Sequence, residues 1–269
     1  VLEDKYVLVF DNTGIKFKPL YGSDNFHQIL KPMANKFLFM SATIDVEGTC
    51  RDLGLPKEDV ASISLDSEFP PENRKVVYLP QMKMTYNWNT KERKSELDKM
   101  EKAIRKIISL HPDESGIIHT ANFKIAQWLV ESLELSPETV HEIVHHNPKS
   151  DLNRQEVIKR FTKNKVPSIL ISPSITEGLD LVDDLARFAI FAKVPFGSLG
   201  DQWIKRRQQI SQDWYRNRAL IDVMQGTGRI VRSKDDKGTV YILDGSWGYL
   251  YHQMKNKIPN WWNEAYEEI

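Results

Sequence analysis

A single cysteine, Cys50, stands in 269 residues. That excludes an internal disulfide, and any zinc or iron–sulfur centre ligated by cysteines of this chain alone. It fits a reducing, intracellular setting, cytoplasmic or nuclear. No apolar run approaches the roughly 20 residues that a membrane span needs, and no signal-peptide pattern opens the sequence. An excess of one charge is missing too: Lys+Arg and Asp+Glu both number 37. There is therefore no global basic field of the kind that announces a nucleic-acid binder, although a local basic groove stays open. The sequence also lacks a G-x-x-x-x-G-K-[ST] loop, the usual backbone cradle for nucleoside phosphates. It begins with Val1 rather than methionine, which fits a piece of something longer.

What is there is an ordinary globular composition, 41% hydrophobic and 28% charged, with length for one large domain or two small ones. Tyr6–Phe10 followed by the turn-like Asp11-Asn-Thr-Gly14 reads as a strand or hairpin. Lys36-Phe-Leu-Phe-Met40 reads as a continuous apolar strand of the buried, parallel-sheet kind, ending in Ser41-Ala-Thr43. Strand and helix patterns then alternate: strands at 75–79, 116–120, 140–144, 168–172, 188–194 and 238–244, with helices at 92–110, 122–133, 152–161 and 202–222. The helix over 92–110 is the clearest, with Leu97, Met100, Ile104, Ile107 and Ile108 on one stripe. This alternation predicts βαβ units, hence an α/β fold with a mostly parallel sheet and helices on both faces. The tail, with Trp247, Trp261 and Trp262, reads as a helix docked on the body.

Three segments carry chemistry. His141-Glu-Ile-Val-His145 matches H-E-x-x-H, a zinc-hydrolase signature that works only on a helix, where both imidazoles share a face. Pro137, Pro148 and the β-branched Val140, Ile143 and Val144 favour a strand instead. There the two histidines would lie about 13 Å apart, too far for one zinc. After the strand at 168–172 comes a polar loop, Pro173 to Leu181, whose hydroxyls and backbone N–H groups suit phosphates. In Gln225-Gly-Thr-Gly-Arg-Ile-Val-Arg232, a helical reading puts Arg229 and Arg232 at i and i+3 on one face with Gln225 a turn earlier. Two guanidiniums aimed at one spot suit a phosphate chain. Taken alone, the same eight residues read equally well as a surface helix with solvated arginines.

In order, these pieces resemble one family. Ser41-Ala-Thr43 resembles helicase motif III, Ile117–Asn122 motif IV, Thr176-Glu-Gly-Leu-Asp180 motif V and Gln225–Arg232 motif VI, in the spacing of a superfamily 2 helicase of the XPD/DinG branch. Lys193-Val-Pro-Phe196 and Asp236–Asp244 add to the likeness. The resemblance covers about residues 36–245 and implies a second RecA-like motor domain over 36–269, with 1–35 as a lead-in segment.

The resemblance implies residue roles as well. Arg229 and Arg232 would act as arginine fingers on ATP, with Gln225 placing the γ-phosphate or attacking water, and Glu177, Gly178 and Asp180 lining the nucleotide cleft. Thr120, Asn122, Ser172, Ser174 and Thr176 would hold a nucleic-acid backbone, while Ser41, Ala42 and Thr43 would couple the two sites. The partners implied are single-stranded DNA or a forked duplex, with RNA as the alternative, and a first motor domain of the same polypeptide. That domain would bring the missing phosphate loop, the Mg²⁺ ligands and, where the parent has one, an iron–sulfur cluster; no metal ligands are assigned to this chain. Competing readings are a non-unwinding translocase, a non-catalytic single-strand-binding module and, remotely, the zinc hydrolase built on His141, Glu142 and His145.

Overall fold

The computed structural model describes residues 5–11, 14–134, 141–145, 154–164, 166–173 and 183–269. In chain order the elements are β1 (Tyr6–Asp11), β2 (Gly14–Pro19), the single-turn α1 (Ser23–Asn25), α2 (Val46–Leu53), β3 (Arg74–Met82), α3 (Lys94–Ser109), β4 (Gly116–His119), α4 (Phe123–Glu134), β5 (Glu142–His145), α5 (Arg154–Lys163), β6 (Ser168–Ser172), β7 (Phe188–Phe191), α6 (Gln202–Ile210), α7 (Gln212–Thr227), β8 (Gly238–Asp244), α8 (Ser246–Gln253), α9 (Asn260–Asn263) and β9 (Tyr266–Glu268). Two compact units emerge, Val1–Leu65 with Phe196–Ile221, and Asp66–Pro195 with Asp222–Ile269.

The larger unit is a seven-stranded sheet in the order β5-β6-β4-β7-β8-β3-β9. Every recorded pairing in it is parallel. The sequence explains why. β4, β6 and β7 are buried at every position, as strands covered on both faces must be. The stripe of α3 is buried as its spacing predicts, Leu97, Met100, Ile104, Ile107 and Ile108 packing with Ile125, Leu129 and Leu133 of α4 in one core. Helices lie around the sheet, giving the RecA-like α/β architecture. One position in this layout matters for function. From β4 the chain runs outward through α4 to β5 and β6, then crosses β4 to reach β7 and β8 on its other side. The boundary between β4 and β7 is thus a topological switch point, where open α/β sheets place ligands at the carboxyl ends of their strands.

The smaller unit holds the antiparallel hairpin of β1 and β2. Arg207 of α6 is buried there, donating to the Leu20 carbonyl at 2.7 Å and to Asp52 at 2.6 Å, with the rings of Tyr21 and Trp214 beside it. On α7, Asn217 donates to Asp45 at 2.8 Å.

Three expectations are corrected. The run Lys36–Met40 is not a buried strand: Leu38 and Met40 are both 82% exposed, and no strand of the described residues pairs with it. The single helix expected over 202–222 is two, because Ser211 turns extended after α6 and its hydroxyl accepts from Trp214 N–H to start α7. The tail is more than a docked helix, since Tyr266–Glu268 adds a parallel edge strand to β3. Trp247 and Trp262 are buried core, as expected.

Candidate functional site

The carboxyl ends of β6, β4 and β7 bring Ser172, His119 and Phe191 into register as one row. The loop after β4 is held tightly. Ala121 sits in the left-handed region at φ 50°, which costs a non-glycine residue of order 1 kcal/mol or more. Thr120 N–H donates to the Ser172 carbonyl at 3.1 Å, and the Thr120 hydroxyl donates to the Asn122 carbonyl. Asn122 then caps α4 by accepting from Lys124 N–H at 2.7 Å.

Onto this row comes the end of α7. The helix stops at Thr227, whose hydroxyl donates to the Met224 carbonyl at 2.8 Å and accepts from Trp262 Nε1 at 2.9 Å. Gly226 packs so close to β7 that a methyl built there would lie 2.5 Å from Phe191 Cζ. Only glycine lets the helix approach the strand end this closely. Ile230 and Val231 plug into the core just beyond. Arg232 is held by its backbone: its N–H donates to the Asp236 carboxylate at 2.9 Å, which also accepts from Lys237 N–H and pairs with Arg187. The Asp236 side chain is wholly buried.

The helical picture of the arginines therefore needs correcting. Arg229 and Arg232 lie after the helix, not on one face of it; Arg229 is half-buried, Arg232 exposed and Gln225 half-buried. Both stand in the turn that follows α7. Glu177, Gly178, Asp180, Ser174 and Thr176 lie outside the described residues. Of the residues expected to hold nucleic acid that are described, Thr120 and Ser172 are fully buried, so only Asn122 presents a side chain to solvent. Ser41 and Ala42 are exposed, and Thr43, nearly buried, donates its N–H to the Ser41 hydroxyl at 3.2 Å. The H-E-x-x-H segment is strand β5 and not a helix. His141 Nε2 is engaged with the carbonyls of His111 and Glu114, and Glu142 with Arg160 and Asn164, so neither is arranged as a metal ligand. A surface groove of about 430 Å³ lies along β5 and α5, lined by Glu142, Glu156, Lys159, Arg160, Lys163 and Asn164. None of the strand-end residues takes part in it.

Two residues that lie within the stretches Ile117–Asn122 and Asp236–Asp244, but to which the resemblance assigns no role, belong to the site. His119 stacks on Phe191, ring centroids 4.6 Å apart and 24° between planes. Burial, with the Arg229 charge adding to it, lowers its pKa to about 4, so the imidazole is neutral at pH 7. Asp244 ends β8 fully buried, its carboxylate accepting from the N–H groups of Met84, Val194 and Ser246. It ties together the ends of β3, β7 and β8, and Lys193 beside it has its pKa lowered by burial.

Residues 104–265 match the family model described as "Helicase C-terminal domain", which is more than half of the chain. The chain belongs to the helicase C-terminal domain family. Among curated helicases it is 22% identical to ATP-dependent DNA helicase CHL1 of Yarrowia lipolytica, an alignment covering 97% of this chain and 38% of that protein. It is 24% identical to ATP-dependent DNA helicase YoaA of Haemophilus influenzae, over 86% of this chain and 36% of that protein. The chain thus spans between a third and two-fifths of the length of these relatives. Among solved structures, apo XPD superposes with a TM-score of 0.64 at 13% identity, covering 98% of this chain and 55% of that one. Xpd4 of S. tokodaii gives 0.56 at 14% identity, over 95% of this chain and 48% of that one. These structural likenesses support the RecA-like fold.

Proposed function

We propose that this chain is the second motor half of an ATP-dependent DNA helicase, acting on ATP bound in a cleft shared with a first motor domain of the same polypeptide. The observation that carries the reading is the convergence of the α7 exit, with Arg229, on the strand-end row of Ser172, His119 and Phe191 at the sheet's switch point. In this reading the half-buried Arg229 is the arginine finger and the exposed Arg232 a second cation for the phosphates, while Gln225 orders the γ-phosphate end. Glu177, Gly178 and Asp180 line the same cleft. Asn122, with the loop carrying Ser174 and Thr176, contacts the DNA backbone, and the Ser41–Thr43 turn passes closure between the two sites.

ATP supplies the phosphoryl bond whose hydrolysis drives translocation. The arginines suit its anionic phosphates, since a guanidinium stays charged at any working pH. In this reading the Mg²⁺ ligands come mainly from the first motor domain, with Mg²⁺ taking one or two carboxylates together with the nucleotide's phosphates. The exposed apolar run Phe37–Met40 supports such a partner, because an extended apolar segment of this kind completes a parallel sheet. Duplex unwinding by the longer protein, on forked DNA against RNA, tests the substrate: faster unwinding of RNA would overturn the DNA assignment.

A further inference from the structure

His119 is the one buried titratable side chain of the strand-end row that none of the roles above uses. Its ring is fixed from one side by Phe191 at 4.6 Å. Phe191 is fixed in turn by Gly226, where a methyl would stand 2.5 Å from its ring. Gly226 lies three residues before Arg229 and accepts its N–H at 3.3 Å. The backbone under His119 is locked as well, its carbonyl accepting from Ala192 N–H at 3.0 Å. The series Gly226, Phe191, His119 thus leads from the end of α7, which Arg229 follows, into the sheet, where the Arg229 charge is felt at His119.

We propose that His119 is a positioning residue for Arg229, its Phe191-stacked ring forming the wall beside which the guanidinium is set. The proposal rests on the reading of Arg229 as the nucleotide-facing arginine. Its physical logic is that a flat, polarisable ring can sit beside a guanidinium, whereas a cation in the same buried place repels it. Burial suits this role, because it keeps the imidazole uncharged across the physiological range. Arg229 is the charged group that acts on His119.

The first test uses the 269-residue chain and imidazole NMR. In the native chain the His119 signals stay those of the neutral ring down to about pH 5, and in Arg229→Gln the midpoint moves up while staying below 6.5. An unchanged midpoint would overturn the proposal. Gly226→Ala should weaken the ring-current shift that Phe191 imposes on His119 in a chain still folded by circular dichroism; an unaltered His119 signal would overturn it too. In the longer protein, His119→Lys should lower kcat by up to about 100-fold, the scale of a misplaced catalytic group, with KM for ATP changed less than twofold. His119→Phe, flat and uncharged, should restore most of it. Equal kcat losses in the two variants would refute positioning by an uncharged ring. If instead the nucleotide reading is wrong, Arg229→Ala leaves turnover intact while the His119–Arg229 coupling persists in the titration.

Discussion

Removing the Asp236 carboxylate should be among the costliest single changes in the larger unit. The side chain is fully buried, pairs with Arg187 and accepts the N–H groups of Arg232 and Lys237. Breaking a buried ion pair from one side costs about 3–5 kcal/mol. Here Arg187 keeps Asp184 at 2.8 Å and the Lys237 carbonyl at 3.0 Å, and its side chain is 16% exposed, so part of that cost is relieved. Two backbone donors lose their partner, each adding about 1 kcal/mol when water cannot reach it. With the ion-pair part reduced to about 1–2 kcal/mol by those remaining partners, the sum for Asp236→Ala is about 3–4 kcal/mol, and Asp236→Asn, which keeps one acceptor oxygen, should cost roughly half of that. Urea unfolding followed by circular dichroism reads the change as a lower midpoint at unchanged slope. A loss below about 1 kcal/mol for Asp236→Ala would show that the carboxylate does not hold the turn after α7, and the account of how Arg232 is placed would fail.

Arg207→Ala should destabilise the smaller unit by about 3 kcal/mol, since it strips the Leu20 carbonyl, Asp52 and two aromatic faces of their cation; limited proteolysis of residues 5–65 reports it, and unchanged resistance would refute it. Trp262→Phe removes the donor to Thr227 and should cost about 1–2 kcal/mol, measured as a lower Tm. pH provides a further check through His119. Its folded pKa, about 4, lies below the ordinary 6.5, so the unfolded chain takes up a proton that the folded chain refuses. Stability from this group is complete above about pH 6.5 and falls by up to about 3 kcal/mol as the pH drops toward 4. Urea midpoints across that window should fall less steeply in His119→Phe; equal slopes would contradict the burial argument.

How much of this was legible in the sequence follows from where the physics is local. Continuous apolar runs such as Ser168–Ser172 and the 3.6-residue stripe of α3 state their burial in their own periodicity, and both formed as read. The alternation of the two sufficed for a parallel α/β sheet. Lys36–Met40 carries the same signal and forms no strand, because a strand needs a neighbour and periodicity does not say which chain segment provides it. The break at Ser211 had a local mark, a capping hydroxyl, that the unbroken polarity around it masked. In motif VI the arginines were legible and their support was not. Gly226 has no side chain to read, and it is the Phe191 ring packed against it that accounts for it. Asp236 holds Arg232 from only four residues on, whereas His119 feels the Arg229 charge from a distant strand, which no local spacing encodes.

The most direct test of the central claim is steady-state ATP turnover with Arg229 varied. The chain 1–269 alone should hydrolyse no ATP, and in the longer protein Arg229→Ala should lower kcat on the order of 10³-fold or more while ATP binding by fluorescence titration stays nearly unchanged. Hydrolysis by the purified chain that vanishes in its Arg229→Ala variant would contradict the account, as would full turnover in the longer protein carrying the same substitution.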